Sequence, residues 1–188
     1  MSYVISTNEI TLTDIKGFRG ASVEAGIARA LALGLARSRD ELIVREALPA
    51  TDFGTATGWA LEFYSNPAIA AAGWGSPFST GALPAFAPTL ANSKVAVFYK
   101  FSDWSANPAI AAIRFRIGGT GATTKVVYQT QLITGTKLEP DMYFTEPVVY
   151  DPQDVVYIEV YYTGAVAVGA EDFAFGCYIT ERAGANVS

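Results

Sequence analysis

The chain has 188 residues, no histidine and one cysteine, Cys177. Those two facts remove most side-chain chemistry. Without imidazole there is no Ser-His-Asp relay, no histidine acting as general base or haem ligand, and almost no route to a zinc site. A lone thiol closes no internal disulfide, holds no metal cluster, and fits synthesis in a reducing cytosol. It stands in the alternating run Phe175, Gly176, Cys177, Tyr178, Ile179, where a cysteine behaves as a small buried hydrophobe. The remaining candidates are carboxylates. Glu139/Asp141, Asp151/Asp154 and Glu171/Asp172 form close pairs, and paired acids can hydrolyse glycosides or, in loops, hold calcium. None has the dense oxygen-ligand spacing of a calcium loop. Each falls at a strand boundary, where Asp makes turns.

Two further patterns invite a chemical reading. The run from Gly118 to Lys125 is glycine-rich, but no glycine immediately precedes Lys125 and no helical pattern follows, so the phosphate-loop spacing fails and a hairpin is expected. Trp59, Trp74 and Trp104 could stack on sugar rings. Trp59 alternates with apolar residues and belongs to a core, which leaves Trp74 and Trp104 as loop candidates. No catalytic residue, cofactor or metal ligand is therefore expected. The net charge of −5 repels phosphate and argues against nucleic acid as a partner. Residues 25–36 are apolar but too short to span a bilayer, and they contain Arg29, so no membrane partner is expected. The first ten residues lack the basic start and apolar run of a signal peptide.

The elements that must carry these residues fall into three regions. Residues 1–20 read as an extended N-terminal arm, 21–54 as a helical segment and linker, and 55–188 as a β-sandwich. Residues 1–50 carry equal numbers of acids and bases, so the acidity belongs to the β region. In the helical segment Val23, Ile27, Leu31 and Leu35 recur every four residues. Ser22 is placed to cap the helix and Glu24 to meet its dipole. Gly26, Ala30 and Gly34 form a small-residue row that lets another backbone approach. Ser38 and Glu41 have capping-box spacing, and residues 42–48 read as a short helix or an extended segment, with helix up to Arg45 and extended chain beyond as the preferred reading.

Period-two alternation marks the strands. Trp59, Leu61 and Phe63 share a face, as do Val95, Val97, Tyr99 and Phe101. Ala111, Ile113, Phe115 and Ile117 oppose Arg114 and Arg116. Val126, Tyr128, Thr130 and Leu132 form another set, as do Val156, Ile158, Val160 and Tyr162. Phe173, Phe175, Cys177 and Ile179 form the last, and residues 142–150 form a strand bulged at Pro147. Seven to eight strands without intervening helix predict a mainly β fold, an antiparallel β-sandwich of jelly-roll type. Residues 63–93 contain no charge but four prolines and several aromatics. A loop so apolar must be covered, either by its own sandwich or by a neighbouring subunit, and the subunit is the preferred expectation. Trp74, Phe78 and Phe86 are its candidate anchors. Arg37, Arg39 and Arg45 are candidates for an acidic partner surface, since guanidinium suits bidentate carboxylate pairing.

A polar arm, a helical segment and one acidic jelly roll without catalytic residues resemble the cement, or decoration, proteins of tailed-bacteriophage capsids. Residues 90–184 carry the resemblance, closing on Phe173-Ala174-Phe175-Gly176-Cys177-Tyr178-Ile179-Thr180-Glu181-Arg182. The resemblance implies a homotrimer on the virion surface, assembled in the host cytoplasm, with arms reaching across major capsid proteins. It implies no catalytic residue. The competing expectation is a carbohydrate-binding or adhesin-like β-sandwich module.

Overall fold

A computed structural model of the chain describes residues 4–6, 11–48, 52–53, 64–65, 70–75, 88–105, 109–118, 123–129, 141–167 and 172–184. In chain order these form β1 (Val4–Ser6), α1 (Leu12–Ala32), β2 (Leu42–Glu46), β3 (Tyr64–Ser65), β4 (Gly73–Gly75), β5 (Lys94–Asp103), β6 (Ile110–Ile117), β7 (Thr123–Gln129), β8 (Asp141–Tyr150), β9 (Val156–Tyr162) and β10 (Asp172–Arg182). One sheet runs β1-β8-β5-β10-β2, with β3 also on β10, and the other runs β4-β9-β6-β7. Every strand pair is antiparallel. The protein is a mainly β, antiparallel sandwich, as the alternation predicts.

The pairs β5–β10 and β6–β9 are nested, as in a jelly roll. A third nested pair would join β7 to β8, but these lie in different sheets, β7 beside β6 and β8 beside β5. The core between the sheets is aromatic. Phe98, Phe101, Phe115, Tyr128, Phe144 and Tyr150 are buried there together with Ile113, Ile158, Val160 and Ile179. Two tyrosine hydroxyls fasten one sheet to the other. Tyr150 donates to the Arg116 carbonyl at 3.0 Å, and Tyr128 donates to the Glu146 carbonyl.

The inward sets of β9 and β10 agree with the alternation, that of β6 agrees from Ile113 onward, and those of β7 agree as far as Tyr128. At the start of β6 the register to β9 shifts between Ile110 and Ala112, and Ile110 rather than Ala111 joins the core. β5 departs from it. Val95, Val97 and Tyr99 lie on the helix side, whereas Phe101 joins Ala96 and Phe98 between the sheets. The β5–β8 register breaks between Phe98 and Lys100, and the bulge changes parity. On β8 the same break leaves residues 144–147 unpaired to β5, a stretch that includes Pro147, the expected place of the break or bulge. The strands on either side of residues 119–122 pair antiparallel, with Ile117 opposite Thr123, in keeping with the expected hairpin. Residues 59–63 and 130–133 of the expected strands lie outside the described residues.

The N-terminal quarter needs more correction. The first twenty residues are not an extended arm, since Val4–Ser6 pairs with β8 and α1 begins at Leu12. The helix cap is Thr11 rather than Ser22. Its Oγ1 accepts from Asp14 N at 3.3 Å, and Asp14 Oδ2 accepts from Thr11 N at 2.8 Å. Ile15, Phe18 and Val23 pack on the Tyr99, Tyr143 and Tyr178 cluster, and this packing sustains a helix through Gly17 and Gly20 despite their low propensity. The buried face is Ser22, Gly26, Ile27 and Ala30, so the small-residue row serves the chain's own sheet. Gly34, at φ +73°, ends the helix. Its N–H bonds to the Leu31 carbonyl and that of Leu35 to the Ala30 carbonyl, both at 3.0 Å, which is a Schellman cap.

The expected second helix is absent. Residues Arg39–Glu41 make one 3-10 turn without a side-chain cap, because Glu41 Oε2 accepts instead from Arg37 N. Leu42–Glu46 then adds as a strand to β10. Ile43 and Val44 are β-branched, and the open edge of β10 supplies partners that a lone helical turn lacks.

Candidate interaction surface

The structure ties Asp141, Asp151 and Asp154 into local supports. Asp151 receives Arg29 in a bidentate pair, at 2.7 and 2.5 Å, which holds α1 to the turn after β8. Asp154 Oδ2 accepts from Asp151 N and closes that turn. Asp141 accepts from Ser102 Oγ at 2.5 Å and from Lys100 at 3.3 Å. Glu139 and Glu171 lie outside the described residues. Among the described residues no group of three or more potential ligands could hold a metal ion, and no helix is long and apolar enough to cross a membrane. Cys177 is buried, and burial pushes its thiol well above the ordinary value.

Of the six candidate interface residues, Arg37, Arg39, Arg45 and Trp74 are described, and they stand in different settings. Arg39 pairs with Glu24 at the helix surface. Arg37 is exposed, with no ion-pair partner among the described residues. Arg45 belongs to a buried cluster. It holds Asp52 through two bonds of 2.7 Å and Glu181 at 2.9 Å, while Lys94 holds Asp52 at 2.8 Å. Leu48 N adds a further bond to Asp52. Burial pushes the Asp52 carboxyl up, but the bonds from Arg45 and Lys94 outweigh it and hold the group below its ordinary value. Beside it, Phe53 stacks on Phe98 in the core. Arg45 is therefore an internal clamp. Phe78 and Phe86 lie outside the described residues.

Trp74 is placed on β4, opposite Tyr161 of β9, and remains 36% exposed. Around it the outward positions of the four-stranded sheet converge. Register sets Arg114 opposite Glu159 and Arg116 opposite Tyr157. The Arg114 guanidinium lies over the Trp74 ring at 4.2 Å, and Arg116 lies over Tyr157 at 5.3 Å. Tyr161 meets Trp74 edge-on at 5.5 Å. Glu159 accepts from Arg114 Nε at 2.6 Å and from Arg116 at 3.0 Å. Burial pushes the Glu159 carboxyl up, and the two guanidinium bonds more than offset that, leaving it lowered and ionised. The result is a net cationic, aromatic patch on an acidic chain. Trp, Tyr and Arg are the residues that anchor protein contacts. The alternation already turned Arg114 and Arg116 outward; only the strand register could show that Trp74 and Glu159 flank them.

A shallow groove of about 670 Å³ lies elsewhere, between α1 and the β8 bulge. Ala25, Ala28, Val126 and Pro147 line it, and Lys125 and the Arg29–Asp151 pair stand at its edge. Burial pushes the Lys125 ammonium down. It donates to the Val149 carbonyl at 2.5 Å and lies over the Tyr150 ring. These contacts fasten β7 to β8.

No family model and no curated protein matches the chain. A solved structure of the infectious bursal disease virus VP2 subviral particle is similar over 78% of this chain, at 13% identity and a TM-score of 0.40. The match spans about a third, 34%, of that viral chain. The sandwich assignment rests on the strand pairing and core described above.

Proposed function

We propose that the protein is a non-catalytic structural subunit of a virion, a capsid cement or decoration protein that acts by burying surface against other subunits. In this reading it is assembled in the host cytoplasm as a homotrimer and binds major capsid proteins at the capsid surface. The observation that carries a binding role is the Trp74–Arg114–Tyr161 patch on the four-stranded sheet. Among the described residues, Asp141, Asp151 and Asp154 are held in local bonds and Cys177 is buried in the core. Because α1 is docked on its own sheet, contact with partners falls to the sheet surface rather than to a free arm. Light scattering on a sizing column tests the reading. A trimer is expected, and Trp74→Ser should weaken it while the isolated subunit still folds. A wild-type monomer at every concentration, or a loss of melting temperature independent of concentration in Trp74→Ser, would overturn it.

A second reading, a glycan-binding sandwich, is favoured by Trp104, which is 53% exposed at the end of β5. Binding on a glycan array that is lost in Trp104→Ala would select it. Against Trp74 as a sugar platform, Arg114 already occupies one ring face.

A further inference from the structure

We propose that Arg114 anchors a head-to-tail contact with a second copy of this chain, receiving a carboxylate from the neighbour's acidic β region. The inference rests on the oligomer proposed above and specifies the contact that builds it.

Most other arginines described are already engaged by carboxylates of their own chain. Arg29 with Asp151, Arg39 with Glu24 and Arg45 with Asp52 are each bidentate. Arg114 differs. Its Nε goes to Glu159 and its plane rests on Trp74, so its orientation is fixed from two sides. Its two terminal nitrogens have no partner among the described residues, and its side chain is 23% exposed. A guanidinium held rigid with its outer N–H groups open is pre-organised for a planar carboxylate, because little side-chain entropy remains to be lost. The stack on Trp74 adds to this only while the cation is present.

The neighbour is identified by charge. The chain has 18 acids against 13 bases, and the excess lies wholly in the β region, so a second copy supplies the carboxylates this patch lacks. Among the described residues the patch has two guanidinium groups, those of Arg114 and Arg116, and one carboxylate, that of Glu159. Two such patches facing each other across a two-fold axis would set like charges together. The contact must therefore join different surfaces, and a heterologous contact that closes forms a ring.

The test uses the intact chain in sedimentation equilibrium at about 0.1 M and 0.5 M salt. Arg114→Lys keeps the charge but removes the fork and should weaken association roughly thirtyfold, the loss of a strong interface anchor. Wild-type association should also fall at the higher salt. Near-ultraviolet circular dichroism of each variant at monomeric dilution checks folding. Trp74→Phe, which leaves the Glu159 bonds intact, is the second variant and should weaken association in the same direction. A closed ring that is lost in both variants supports the inference. If Arg114→Lys and Trp74→Phe associate as tightly as wild type, the inference fails and the oligomer reading stands. A two-fold dimer would also overturn the inference, and a monomeric wild type would overturn the oligomer reading itself.

Discussion

Alanine at Gly26 should destabilise the protein, whereas alanine at Gly17 or Gly20 should stabilise it. All three glycines lie in α1, and each substitution gains about 1 kcal/mol in helix propensity. A Cβ added at Gly17 or Gly20 meets nothing within 4 Å, so most of that gain survives, worth a rise of about 2–4 °C in melting temperature for a chain of this size. At Gly26 the Cβ would stand 2.4 Å from Thr180 Oγ1 and 3.2 Å from Val97 Cγ2. Turning Thr180 offers little relief, because its β-carbon is branched and a methyl would take the place of the hydroxyl. The helix would have to lift by about an ångström, loosening Ala30 from Val95 and Val97. Overpacking of this kind costs about 1–3 kcal/mol. With contact at 2.4 Å placing the cost toward the upper end, the net loss after the propensity gain reaches about 2 kcal/mol. Urea unfolding of the three single variants supplies the comparison. Thr180→Ala in the Gly26→Ala background should recover most of the loss, since Thr180 Oγ1 is buried with no hydrogen-bond partner among the described residues and is little missed. A Gly26→Ala protein as stable as Gly17→Ala, or strict additivity with Thr180→Ala, would refute the close approach of helix and sheet.

Asp52→Asn should cost about 3–5 kcal/mol in urea unfolding, because it leaves Arg45 and Lys94 beside an uncharged amide in a buried cluster. The pH dependence has a definite sign. Asp52 and Glu159 are both lowered in the folded state, so their contribution is complete above the ordinary carboxyl value and is lost as pH falls through the lower folded one; the urea midpoint should hold near neutrality and fall in acid, more shallowly in Asp52→Asn. Cys177 should resist an aromatic disulfide reagent at neutral pH and react only at the rate of unfolding, given its burial and raised pKa; rapid labelling of the native protein would contradict this.

The sequence by itself determined the fold class and much of the core. The sets on β9 and β10, and that on β6 from Ile113 onward, were legible because core-facing apolar side chains on a strand recur with period two. The lack of equipment for histidine, disulfide or metal-cluster chemistry was equally plain, since it follows from residue types that are absent or single. Tertiary structure decided what depends on a partner distant in the chain. Val95, Val97 and Phe101 are all apolar, and nothing local could show that a bulge would send Phe101 to the other face, or that a helix would bury both sides of β5. The start of α1 was hidden because Gly17 and Gly20 argue for a turn; only the tyrosine cluster beneath Phe18 supplies the energy to override them. Leu42–Glu46 reads as helix or strand until the edge of β10 is there to pair with it. The interaction patch shows the same division. Alternation turned Arg114 outward, but residues 40 and 45 positions away, Trp74 and Glu159, hold its guanidinium in place, and their nearness is set by strand register alone.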